Sequence, residues 1–275
     1  ALVFFTCNYF NFISIYKYFS FWLWRFKLEK TFPYELGKTV GAKANFGLIV
    51  LQSDETIEHD MRRLLPSLEV GIYTSRVPSD SNVSTESLAQ MEPILSSATE
   101  LFPSKMNFDV VGYGCTSGTS VIGPENISKL IRNACRVKYV TEPVSALIAA
   151  CGFLGVRKIA FLSPYVANVS QTLRSILTKK GLEMAVCGSF NEGNEANVAR
   201  ISGQSIKEAA VALVKDSQAE AIFLSCTNLQ TLNVINEIEL ECDVPVLSSN
   251  QVLAWHMALL AEKTDFSERV GKLMA

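Results

Sequence analysis

From residue 46 to residue 261, short apolar runs alternate with segments whose apolar residues recur every three or four positions. That alternation predicts strands followed by amphipathic helices. The run FGLIVL at 46–51 is apolar throughout, as a parallel strand covered on both faces should be. Ser53 or Asp54 can cap the helix that follows, with Glu55 and Glu58 in its first turn. Residues 70–77 predict a second strand, and residues 84–102 a helix that Pro93 kinks or splits. Residues 108–113 predict a third strand running into GYGCTSGTSVIG. A helix over 124–134, a strand over 137–140 and a helix over 144–153 stopped by Gly155 complete the first series.

The series then begins again. Strands are expected at 158–162, 182–186, 221–224 and 244–247, with helices at 169–180, 206–216, 229–238 and 252–261. Leu48-Ile49-Val50-Leu51 and Ile159-Ala160-Phe161-Leu162 are separated by 111 positions, and so are Cys115-Thr116-Ser117 and Cys226-Thr227-Asn228. Two features sharing one offset predict an α/β chain of two similar domains with parallel sheets, related by a pseudo-twofold. The expected division is a leader over 1–38, a first domain over 39–155 and a second over 156–275. In parallel α/β sheets ligands sit at the carboxyl ends of strands, which would turn both Cys-Thr segments toward one interdomain cleft.

The leader differs from the rest. Of the 27 aromatic residues, 12 fall in residues 1–30, and 17 of those 30 residues are Phe, Tyr, Asn, Ile or Lys. All five have A/T-rich codons, so the segment reads as translated non-coding sequence preceding the α/β body. A membrane-associating tail or an ordered helix is the alternative. Lys17 interrupts the apolar run, and no positive n-region or small-residue cleavage site marks a signal peptide.

Charge and cysteine content narrow the chemistry. With 25 Lys+Arg against 27 Asp+Glu, the net charge is -2, so a nucleic-acid-binding face is not expected. Two His make a polyhistidine metal site and a Ser-His-Asp triad poor readings. Seven Cys without a C-x-x-C pair argue against a disulfide framework or zinc ribbon. Ser117 stands where a dinucleotide fingerprint needs its third Gly, and no Walker ending exists. NAD and ATP are therefore disfavoured.

Cys115 and Cys226 each follow an apolar strand and are read as preceding a helix, where the dipole can lower a thiol's pKa. Thr116, Ser117, Thr227 and Asn228, with their backbone N–H groups, can contact a substrate anion. Paired thiols suit removal and return of a proton on opposite faces of a carbon. They equally suit attack by one thiolate with the other as acid. Asp54 and Tyr165 are equivalent under the 111 offset and sit just beyond the first strand of each half. Each can touch substrate or position a thiol. Asp54 can alternatively be an ordinary cap, and Tyr165 an interface aromatic. Asn250 and Gln251 open the last helix as caps or cleft residues. His59 is read as solvated and His256 as helix packing. Cys7, Cys135, Cys151, Cys187 and Cys242 are read as structural.

GLIVLQSDETIEHDMRRLLP, GYGCTSGTSVIG, SPYVANV, FLSCTNLQTL and SSNQVLAWH together resemble the aspartate/glutamate racemase superfamily. Within it they look like the maleate cis-trans isomerase and arylmalonate decarboxylase branch, and most like the ectoine-utilization protein A group. The resemblance spans about residues 46–261. It implies two Rossmann-like domains, an interdomain site without metal or cofactor, a cytoplasmic enzyme and a homodimer or higher homo-oligomer. It assigns Cys115 and Cys226 as the catalytic pair and Tyr165 as a substrate contact.

Maleate isomerases resembling this chain carry Asn where it has Asp54. An acidic side chain there repels a substrate carboxylate unless it is protonated or faces an amine, which leaves room for a cationic or amino-substituted acid. Arylmalonate decarboxylases lack the first Cys, so Cys115 argues against simple decarboxylation. The expected activity is isomerisation or racemisation of a small carboxylate. A decarboxylase, an enzyme of ectoine breakdown or a non-catalytic carboxylate-binding protein is the alternative.

Overall fold

The computed structural model describes residues 30–66 and 70–275. The reading of residues 1–29 as a non-coding leader, and that of Cys7, lie outside the described residues. The chain divides into units Ala1–Lys38 and Thr39–Ala275. Residues 30–38 of the first carry no helix or strand, and every element below belongs to the second.

The first half holds β1 (Ala44–Leu51), α1 (Ile57–Leu64), β2 (Val70–Val77), α2 (Thr85–Ala89), a 3-10 turn (Glu92–Ile94) and α3 (Leu95–Glu100). It continues with β3 (Asn107–Gly114), α4 (Thr116–Ile122), α5 (Pro124–Ala134), β4 (Arg136–Thr141) and α6 (Pro143–Leu154). The second half holds β5 (Lys158–Ser163), α7 (Ala167–Lys179), β6 (Glu183–Ser189), α8 (Glu195–Val198), α9 (Gly203–Val214), β7 (Ala221–Leu224), α10 (Ile235–Cys242), β8 (Val246–Ser248) and α11 (Ser249–Leu260).

All strand pairs are parallel, and the sheet orders are β2-β1-β3-β4 and β6-β5-β7-β8. The second order is the first one repeated, as the 111-residue offset predicts. β1 and β7 are buried along most or all of their length, which explains why their sequences read as continuous apolar runs. Each such Leu, Ile or Phe contributes about 1.5–3 kcal/mol by leaving water. Among the described residues no helix is long and apolar enough to cross a membrane.

The helix expected over 84–102 is split, as expected at Pro93, into α2, the 3-10 turn and α3, because Pro93 lacks an N–H for a continuous helix. Two elements differ from expectation. The helix expected over 229–238 starts only at Ile235. Leu229 and Leu232 are buried in a non-helical turn, and the Asn228 carbonyl accepts from Thr56 Oγ1 at 2.9 Å. The one-turn helix α8 was not anticipated.

The last helix crosses over to the first half. Asn250 Nδ2 on α11 donates to Asp60 Oδ2 of α1 at 2.8 Å. His256 Nδ1 meets Thr141 Oγ1 of β4 at 2.7 Å, and the Trp255 ring lies 5.5 Å from that of Phe153 on α6. Gly112 of β3 faces Met257 so closely that a Cβ would come within 2.6 Å of its sulfur. Thus α11 begins at the carboxyl end of the second sheet and packs on the first.

Candidate active site

The two Cys-Thr turns meet through one hydroxyl. Ser249 Oγ, at the start of α11, accepts from Thr116 Oγ1 at 2.8 Å and from the Cys226 backbone N–H at 3.0 Å. Thr227 Oγ1 reaches the Gly114 carbonyl at 3.4 Å. Cys115 and Cys226 therefore sit on adjoining turns at the ends of β3 and β7, and both are buried.

Cys115 is the N-cap of α4, and its Sγ accepts the Gly118 N–H at 3.1 Å. Gly118 is required there, since a Cβ would stand 2.9 Å from Cys115 Sγ and 2.6 Å from Tyr113 Oη. Cys226 does not sit at a helix start: its Sγ accepts the Asn228 N–H at 3.3 Å within a turn. The expected helix dipole thus acts at Cys115 only.

A proton chain adjoins Cys226. Tyr165 Oη lies 3.0 Å from Cys226 Sγ and donates to Glu195 Oε1 at 2.6 Å. Asn228 Nδ2 holds the other oxygen, Glu195 Oε2, at 2.7 Å. A phenol has one proton, so while it points at Glu195 the Cys226 S–H is the donor to Tyr165. If the phenol instead serves a Cys226 thiolate, Glu195 must carry a proton of its own.

Asp54 lies at the other edge. Its Oδ1 accepts the N–H groups of Thr56 and Ile57, both at 2.8 Å, and so caps α1 as expected. Its Oδ2 is buried without a hydrogen-bond partner. Asn228 Oδ1 accepts the neighbouring Glu55 N–H at 2.8 Å, tying Asp54's turn to the Cys226 turn.

Burial dominates the electrostatics. It pushes Cys115 up to about 12, with the Gly118 N–H opposing it and the charges of Glu195 and Asp54 adding to it. Cys226 is likewise held well above the ordinary thiol range, by burial first and then by Glu195. The expectation of a lowered thiol pKa is overturned: desolvation outweighs the N–H contacts. Asp54 and Glu195 are also raised, burial being the main cause in each. Among the described residues no Lys or Arg forms an ion pair with either carboxyl. Arg76 donates to the carbonyls of Leu51, Gln52 and Asp54 and to Glu58, and its charge, with the Thr227 hydroxyl, partly offsets the burial of Asp54; Arg200 pairs with Glu55.

The structure thus brings Cys115, Cys226, Asp54, Thr116, Tyr165, Thr227 and Asn228 together. Ser117 is buried in the first turn of α4, where its carbonyl accepts from Ser120 Oγ at 2.7 Å. Asn250 supports the site from behind by donating to the Thr227 carbonyl at 2.7 Å, whereas Gln251 forms a capping box with Ser248. His256 packs against Trp255 and is exposed in part, as expected of packing. Glu195 and Ser249 were missed. Glu195 lies in NEGNEANV, a segment without periodicity, and Ser249 lies one position before the Asn250 and Gln251 that were singled out. A surface cleft of about 180 Å³, lined by Thr56, His59, Asp60, Arg63 and Gln230 among others, lies beside the site and does not include the cysteines. Among the described residues no group of three or more His, Cys, Asp or Glu is placed to hold a metal ion.

The sequence pattern of the arylmalonate decarboxylase family matches residues 125–274. An arylmalonate decarboxylase of Bordetella bronchiseptica is 30% identical over 122 residues, 44% of this chain, and the match spans about half (51%) of that relative's length. A maleate isomerase of Nocardia farcinica is 24% identical over 218 residues, covering 74% of this chain and 84% of the relative. A solved mutant of the Nocardia farcinica maleate cis-trans isomerase, with a covalently bound succinylcysteine intermediate, superposes with a TM-score of 0.75 at 20% identity, covering 84% of this chain and 98% of that one. That structural likeness carries the fold. The chain belongs to the arylmalonate decarboxylase family, within the branch of the aspartate/glutamate racemase superfamily that includes the maleate isomerases.

Proposed function

We propose that the protein is a cofactor-independent isomerase or racemase of a small carboxylic acid, with Cys115 and Cys226 as its reacting groups. The observation that carries this reading is the junction of the two Cys-Thr turns at Ser249 Oγ. It is supported by the curated relative that is a maleate isomerase and by the succinylcysteine in the solved isomerase mutant.

The two thiols have different surroundings and take different roles. Cys226 has the Tyr165–Glu195 chain on its sulfur, so protons move to and from it. Cys115 Sγ accepts the Gly118 N–H and lies beside the buried Tyr113 phenol, contacts that favour a thiolate once its proton is gone, but no carboxyl is linked to it as Glu195 is to Cys226. In isomerisation, the Cys115 proton passes to a site carboxylate. Its thiolate then adds to one alkene carbon, and the electron pair of the double bond takes a proton from Cys226 at the other carbon. The resulting single bond rotates. Cys226 then removes that proton, the double bond reforms in the other geometry, and the Cys115–carbon bond breaks. In racemisation, one thiolate removes the α-proton and the other thiol delivers a proton to the opposite face. In both, Asp54 and Glu195 are the local proton acceptors that a raised thiol needs.

A turnover screen by NMR in deuterated water tests this. Maleate, aspartate, hydantoins, arylmalonates and ectoine-derived acids are supplied to the full chain. The reading predicts either a mirror-image isomer with deuterium at the reacting carbon, or a geometric isomer accompanied by a covalent adduct on one Cys seen by mass spectrometry. Loss of carbon dioxide from an arylmalonate without any isomerisation would instead identify a decarboxylase. Binding of an acid without turnover would identify a non-catalytic protein.

A further inference from the structure

We propose that Tyr113 is the switching hydrogen-bond donor of the Cys115 half of the site, its phenol turning from Met91 to the Cys115 thiolate when the thiol loses its proton. The inference rests on the two-cysteine reading and deepens it by adding a moving group to that reading.

Tyr113 lies near the end of β3, two residues before Cys115, and is fully buried. Phe would fill the same space with its ring, so the hydroxyl is the part that needs a reason. A buried phenol O–H ordinarily finds a good partner. Here it donates to Met91 Sδ at 3.8 Å, and a thioether is a weak acceptor. Cys115 Sγ borders the same spot. A Cβ on Gly118 would stand 2.6 Å from Tyr113 Oη, 2.9 Å from Cys115 Sγ and 2.9 Å from Met91 Cε. The phenol therefore has two sulfurs at hand, and of the two only the thiol can take a negative charge. Burial lifts the Cys115 thiol, and the charges of Glu195 and Asp54 add to that lift. The Gly118 N–H and the Tyr113 hydroxyl oppose it.

The repeat points the same way. Under the 111 offset Tyr113 corresponds to Leu224, and Tyr165 to Asp54, so the two phenols do not descend from one position. Each thiol nevertheless has a phenol beside it. Tyr165 Oη is held by the Glu195 carboxyl, whereas Tyr113 Oη rests on a thioether. A weak resting acceptor leaves the second phenol free to turn. When the Cys115 proton passes to a site carboxylate, the Tyr113 O–H swings to the thiolate and keeps its own proton. When that sulfur bonds to carbon or regains a proton its charge is gone, and the phenol returns to Met91.

Iodoacetamide labelling of the full chain from about pH 8 to about pH 10 tests this, because the thiolate is the form that reacts. Cys115 and Cys226 are read as separate peptides by mass spectrometry. Tyr113→Phe should label at Cys115 about tenfold more slowly than the wild type at each pH, with Cys226 labelling as in the wild type. Met91→Leu keeps the volume and removes the resting acceptor, so Cys115 should label about twofold faster. The double variant should label as slowly as Tyr113→Phe alone. If Tyr113→Phe melts early, Met91→Leu decides alone. The proposal is overturned if Tyr113→Phe labels at Cys115 at the wild-type rate or faster, if Met91→Leu labels no faster than the wild type, or if wild-type Cys115 is unreactive across the range. Equal slowing at Cys226 would also overturn it, since Tyr113 would then act through the fold and not through Cys115. Labelling is read without substrate. Failure here with cysteine-dependent turnover intact removes Tyr113 alone, whereas wild-type turnover in cysteine variants condemns the two-cysteine reading.

Discussion

At the residue scale, one phenol decides how Cys226 exchanges protons. The Tyr165 hydroxyl touches both that sulfur and the Glu195 carboxyl. Tyr165→Phe keeps the ring and deletes the link, so turnover should fall about 10–100-fold with little change in Tm. Steady-state rates with a melting curve check this, and an unchanged rate would remove Tyr165 from the proton path. Asp60 allows a second prediction, on stability. Burial raises its carboxyl from 3.8 to about 7, with the Asn250 amide only partly offsetting this. A carboxyl raised in the folded state binds more protons folded than unfolded, so stability falls as pH rises from about 4 to 7. Asp60→Asn keeps an acceptor for Asn250 and removes the charge. It should stabilise the protein by about 2 kcal/mol at pH 8 and by almost nothing at pH 4, read from urea unfolding at the two values.

At the element scale, the two halves use one topology differently. α4 begins directly after Cys115, whereas a turn with buried Leu229 and Leu232 follows Cys226 before α10. The first turn of α4 has room for Gly118 and nothing larger. Gly118→Ala should push Cys115 Sγ or Tyr113 aside, lower turnover about 100-fold and cost about 1–3 kcal/mol. A crystal structure with rate measurements checks both. The strands and the helix Pro124–Ala134 were legible because their burial follows an apolar period that survives in the sequence. The helix expected over 229–238 shows the limit of that signal. Leu229 and Leu232 repeat at helical spacing, but their burial comes from tertiary packing under the site. Glu195 was illegible for a related reason. Its importance arises from Tyr165, 30 residues earlier, and Asn228, 33 residues later, which no local pattern joins.

At the scale of the whole molecule, α11 welds the halves. Its start carries Ser249 at the second sheet, and its body packs on β3, β4, α1 and α6 of the first half. The repeat in the sequence revealed two equivalent halves but not this exchange, because α11 is apolar nearly all round and shows no preferred partner. Residues 39–260 should therefore unfold in one urea transition seen alike by tryptophan fluorescence and far-UV circular dichroism. Two separated transitions would contradict the shared helix. The site itself is a product of that closure, since Ser249 joins turns that lie 111 residues apart in sequence. The central claim is that both thiols at this junction react. Its most direct test is the turnover of Cys115→Ser and Cys226→Ser full chains on the acid the wild type converts, followed by NMR in deuterated water. Each variant should lose at least about 100-fold while keeping its circular dichroism spectrum and Tm. A wild-type rate in either variant would contradict the account.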